Sequence, residues 1–69
     1  GIEGYVVVEF TVTPAGTVRD VVVVESSHEV FHQPAIEATH KFRYKPRVVS
    51  GRPVEVSGVR NKITFVVEA

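Results

Sequence analysis

The stretch Gly4-Tyr5-Val6-Val7-Val8-Glu9-Phe10-Thr11-Val12-Thr13, then Pro14-Ala15-Gly16-Thr17, then Val18 to Glu25, decides the fold. Val6, Val8, Phe10 and Val12 alternate with Val7, Glu9 and Thr11, the period-two pattern of a strand with one buried face. Pro14 fixes φ and Gly16 supplies φ > 0, so the interruption is a tight turn. Strand, short turn and strand make a β-hairpin. The second run holds Val21-Val22-Val23-Val24 with no polar alternation. Either both its faces are covered or its outer face is apolar and open, and periodicity does not choose between them.

Downstream, Ser26-Ser27-His28-Glu29 closes the hairpin in polar residues. Phe31, Ala35, Ala38 or Thr39, and Phe42 then recur at helical spacing, with Glu37 and Lys41 at i and i+4 on the other side. Pro34 is tolerated in a first turn, which predicts a helix from His32 or Gln33 to about Phe42. Pro46 ends it by biasing Lys45 away from helical angles. About three turns of helix cannot stand alone, so the Phe31/Ala35/Ile36/Phe42 side must dock on the sheet. Val48 to Pro53, with Gly51 and Pro53, reads as a loop. A last strand lies within Val54 to Val67, with Ile63, Phe65 and Val67 on one face and Gly58 marking a bulge or break. The expected fold is α+β in the order β-β-α-β, a three-stranded antiparallel sheet with one helix packed on one face.

With 69 residues, the chain reads as one domain, 1–69, near the lower size limit for independent folding. It has no Cys, which excludes disulfides and thiolate metal sites. Its apolar runs of four residues are far short of the ~20 that span a bilayer. The chain opens at Gly1 with neither Met nor a signal-like segment. The expectation is therefore a fragment of a longer protein whose anchor lies upstream.

Net charge is zero, but residues 1–40 hold six acids and one base while residues 41–69 hold seven bases and two acids. Nucleic-acid binding calls for a net-basic domain with a clustered stripe, so that class is set aside. A basic rim for an acidic peptide and an ordinary solvated surface both fit the asymmetry.

Three constellations carry no chemistry. His28, His32 and His40 lack a carboxylate at a recognised ligand offset, so no metal is expected. Ser27-His28 lacks the orienting group and oxyanion site a nucleophile needs, so neither catalysis nor a cofactor is expected. Arg43 and Lys45 follow the helix C-terminus, where cations complement the dipole; Tyr44 between them reads as core.

Taken together the residues resemble the TonB C-terminal domain family over essentially the whole chain. The resemblance runs through Gly4-x-Val6-x-Val8-x-Phe10-x-Val12-x-Pro14-x-Gly16-x-Val18-x-Asp20-Val21 and Glu25-Ser26-Ser27. It continues through Phe31, Ala35 and Ala38, and is most specific at Phe42-Arg43-Tyr44-Lys45-Pro46. Gly51-x-Pro53-Val54 and Ile63-x-Phe65 close it. Two features depart from the family pattern: Phe42 stands where Trp is usual, and the Tyr-Pro segment that precedes the domain in longer family members is missing because the chain starts at Gly1. The resemblance implies a periplasmic domain of a protein anchored in the bacterial inner membrane. Such a domain is driven through upstream segments by a proton-motive-force complex of ExbB/ExbD type. Its partner is the TonB box of outer-membrane TonB-dependent receptors, which take up siderophores, haem or cobalamin. A structural envelope module of TolA-like fold, or a strand-exchanged homodimer, is the alternative.

A three-stranded sheet leaves two edges of unpaired N–H and C=O groups, which an extended peptide can satisfy by strand addition. The family resemblance places the last strand outermost. The expected docking strand is therefore Val59, Arg60, Asn61, Lys62, Ile63, Thr64, Phe65, Val66 and Val67. Its charges deter uncontrolled pairing and attract acidic peptides. A plain edge strand with protective charges is the competing reading.

Overall fold

The computed structural model describes residues 2–67. The alternating run becomes β1 (Ile2–Val12), and the second run becomes β2 (Val18–Ser26). A 3-10 turn (Glu29–Phe31) leads into α1 (His32–His40), followed by β3 (Arg47–Val49), β4 (Arg52–Val54) and β5 (Val56–Val67). The main sheet is antiparallel with the order β2-β1-β5, so the expected three-stranded sheet with one helix is present.

One segment differs from expectation. Val48 to Pro53 is not a loop but most of a two-stranded hairpin in which Arg47 faces Val54 and Val49 faces Arg52. Ser50 (φ 52°) and Gly51 (φ 77°) turn it with two left-handed residues, the type I′ geometry that matches strand twist. Pro53 costs little there because each strand of a two-stranded ribbon has a free edge. Val48 and Val49 remain exposed, and β3 and β4 pack chiefly on each other.

The core lies on one face of the main sheet. Val6, Val8, Phe10 and Val12 of β1 are all buried, with Val18, Phe31 and Ala35. Ala35 is fully buried, and its small side chain lets the helix backbone approach the sheet. Of Ala38 and Thr39, it is Thr39 that is buried; its hydroxyl donates to the Ala35 carbonyl at 2.7 Å. That bond removes the cost of burying the hydroxyl. Phe42 and Tyr44 close the far end, with Tyr44 tilted against Phe10 at 5.6 Å and Phe42 edge-on to Tyr44 at 6.3 Å. Phe42 thus fills its site as a smaller aromatic.

Three bulges shape the sheet. Opposite β1, Val24 is an extra residue in β2, and Asp20 (φ 55°) with Val21 opposes Phe10 alone. In β5, Ser57 and Gly58 (φ 69°) together oppose Thr11. The four-valine run is resolved accordingly: Val21 and Val23 pack against the core while Val22 and Val24 are exposed. The outer face is apolar and open.

The β1–β2 turn is locked to the segment after the helix. Gly16 (φ 84°) accepts the Tyr44 N–H at 2.9 Å, and a Cβ on Gly16 would sit 2.2 Å from the Tyr44 carbonyl oxygen. Gly51 has a similar φ but open space around its missing Cβ. Gly51→Ala should therefore cost only the left-handed backbone penalty, about 1 kcal/mol. Gly16→Ala adds a backbone collision and should cost about 3 kcal/mol. Urea unfolding of the two variants checks this ranking.

Candidate partner-binding edge

Strand β5 is an edge strand, hydrogen-bonded to β1 on one side. Beyond the Gly58 bulge its register against β1 is unbroken, from Phe10↔Val59 to Ile2↔Val67. In an antiparallel strand, alternate residues direct their N–H and C=O to opposite sides. About half the residues of this stretch therefore offer both groups to the open edge. The other edge, along β2, is interrupted by its two bulges, which twist a strand and spoil it as a template.

The nine expected docking residues divide by face. Val59, Asn61, Ile63 and Phe65 are half-buried on the helix side, and Phe65 stacks on Phe31 at 4.8 Å with rings 4° from parallel. Gly4 makes room for this stack, since a Cβ there would meet the Phe31 ring at 2.4 Å. Val67, at the end of the same face, is more open. Arg60, Lys62, Thr64 and Val66 are exposed on the helix-free side.

The charges do not project as a rim. Lys62 places its Nζ 4.7 Å from the Tyr5 ring centroid, and Arg60 lies 3.9 Å from the Glu9 carboxylate. Both contacts reach back over β1. At the opposite end Arg19 of β2 pairs with Asp20 and with Glu55, between β4 and β5. The Glu55 hydrogen bond, more than its charge, holds the guanidinium above its ordinary pKa.

The histidines and serines at the end of β2 form a structural cluster. Ser27 Oγ accepts the Tyr5 N–H at 2.9 Å and contacts His28 Nδ1 at 2.9 Å, while Ser26 Oγ meets His32 Nε2 at 2.5 Å. These contacts tie the strand end to β1 and to the helix start. Among the described residues no three His, Asp or Glu side chains are grouped to hold a metal. Arg43 donates to the carbonyls of His40 and Phe42 at 3.2 and 2.9 Å, satisfying acceptors that the helix end leaves open. Among the described residues no helix is long and apolar enough to cross a membrane.

The family model described as "Gram-negative bacterial TonB protein C-terminal" matches residues 1–67. The chain belongs to the TonB C-terminal family. This is a family of non-catalytic energy-transducer and interaction domains. Its members are Gram-negative periplasmic domains. A solved structure of the TonB2 protein from Vibrio anguillarum resembles the whole of this TonB C-terminal domain, with a TM-score of 0.70 and 30% identity. The domain spans 66% of that chain. No curated protein sequence matches it significantly.

The Lys62–Tyr5 contact is exposed, so its coupling should be modest. A double-mutant cycle with Lys62→Gln and Tyr5→Leu should return about 0.5 kcal/mol in thermal or urea unfolding.

Proposed function

We propose that this domain receives an extended peptide, the TonB box of an outer-membrane receptor, as a fourth strand on the outer edge of β5 over Val59 to Val67. One observation carries the reading: the unpaired edge and the longest unbroken register of the sheet coincide on this stretch. Main-chain bonds of about 1 kcal/mol net each supply modest affinity that tolerates variable partner sequences. In this reading the domain is the periplasmic end of a longer protein anchored in the inner membrane. An ExbB/ExbD-type complex energises that protein, and the contact opens receptors for siderophores, haem or cobalamin. The second reading is self-association through the same edge, with β5 of another copy as the added strand.

Titration of the labelled domain with an acidic, extended heptapeptide from a receptor is expected to shift the amides of Val59 to Val67. Shifts confined to β2 and its turn, with none in Val59 to Val67, would rule the site out. Light scattering on the free domain distinguishes a monomer from a strand-paired dimer.

A further inference from the structure

From Ala38 to Val54 the chain carries five cations, Lys41, Arg43, Lys45, Arg47 and Arg52, and no acid. Between the end of α1 and the start of β3 exposure alternates strictly. Phe42, Tyr44 and Pro46 are half-buried, the two aromatics against the core, while Lys41, Arg43, Lys45 and Arg47 are exposed. The outward side of this segment is therefore wholly cationic. Arg47 carries it into the β3–β4 ribbon, where Arg47 faces Val54 and Val49 faces Arg52. Directly opposed residues point to the same side of a ribbon, so Arg47, Val49 and Arg52 share one face. The other face holds the Val48–Pro53 pair. Both valines are open, Val48 60% and Val49 50% exposed. Among the described residues none of the five cations has an ion-pair partner, and the next acid, Glu55, is taken by Arg19. The ribbon leaves from Pro46, which lies against Gly16, and returns into β5 beside Val12. It thus stands at the β1–β2 turn end of the sheet and packs chiefly on itself.

We propose that this end of the domain, the β3–β4 ribbon with the cationic segment before it, docks on an anionic phospholipid surface. The inference is independent of strand addition on β5. Alternate Cα atoms of a chain are at most about 7 Å apart, inside the ~8 Å screening length at physiological salt. Lys41, Arg43, Lys45 and Arg47 therefore act on a partner together. A guanidinium meets phosphate oxygens through two parallel hydrogen bonds. Its methylene stem can lie along apolar surface while the head reaches a polar group, and Val49 offers that surface between Arg47 and Arg52. An acidic peptide would satisfy the charges but leave valines on both faces of the ribbon in water. A bilayer interface takes both, since phosphates and the acyl boundary lie within about 5–10 Å of each other. Val48 and Val49 enter the headgroup layer while the cations hold the phosphates above them. Two valines are too little apolar area to anchor a domain alone, so adsorption requires anionic lipid, weakens with salt and is reversible.

The test is co-sedimentation of the domain with vesicles of pure phosphatidylcholine and of equal parts phosphatidylcholine and phosphatidylglycerol. Binding is expected to the anionic vesicles alone and should fall steeply with added salt. Arg47→Gln with Arg52→Gln removes two exposed, unpaired cations and should weaken binding about 25-fold, at about fivefold for each. Circular dichroism checks that this variant stays folded. A second readout separates insertion from charge attraction. The fluorescence of a Val48→Trp variant should move to the blue on anionic vesicles, and that of Val22→Trp, placed mid-sheet on β2, should not. Equal binding to both vesicle types, or to neither, would overturn the inference. So would full binding by the double Arg variant. Binding to poly-glutamate without a blue shift of the Val48→Trp variant on vesicles would make the patch a site for acidic protein and overturn the lipid assignment. Release by inorganic phosphate beyond that by chloride of equal ionic strength would mark a discrete phosphate site and overturn it likewise.

Discussion

Strand β1 is hydrogen-bonded on both sides and, among the described residues, supplies four of the seven buried apolar side chains. Everything else is arranged around that double demand. Its helix side must be covered, and Phe31, Ala35, Phe42 and Tyr44 do so from one short helix and the segment after it. Its central place pushes β2 and β5 to the edges, where each meets solvent along one side. In so small a chain little apolar surface remains to cover a second face, and Val22 and Val24 stay exposed in consequence.

That central strand was also the most legible part of the sequence, because its alternation is the signature of one buried face. The helix was legible from Phe31, Ala35 and Phe42, with Pro34 and Pro46 as its punctuation. Beyond these the local signals fail for physical reasons. Four consecutive valines conceal a bulge, since an extra residue in a uniform run changes no pattern. Asp20 gave no warning of its left-handed backbone, though Asp tolerates that region better than most residues. The β3–β4 hairpin looks like a loop in the sequence because Gly51 and Pro53 dominate its local pattern. Ser50-Gly51 between Val49 and Arg52 was the available signal, a two-residue turn with a glycine. The last strand's place at the edge followed from the family resemblance. The lateral offset of the helix, which packs mainly on β2 and secondarily on β1, is encoded in no local pattern and required the tertiary packing.

The charge asymmetry takes on a different meaning in three dimensions. The acidic first part and the basic last part are neighbours, because β1 pairs with β5 and β2 begins beside the β4–β5 junction. Glu9 approaches Arg60, and Arg19 reaches Glu55. These exposed pairs contribute little to stability. Their effect is positional: Arg60 and Lys62 reach back toward β1 while still lending positive potential to their surroundings.

The unbroken β1–β5 ladder also has a mechanical meaning. Nine consecutive pairs run from Ile2↔Val67 to Phe10↔Val59, and a tension applied along the strand axis meets them side by side rather than one after another. Load entering at the start of β1 and leaving through a strand laid on β5 would cross two parallel interfaces in shear. The β3–β4 ribbon, with three pairs, lies outside that path. The sheet is thus strongest in the direction of its strands and weakest to peeling at right angles to them. Release of a partner would therefore be governed by the direction of pull as much as by its magnitude.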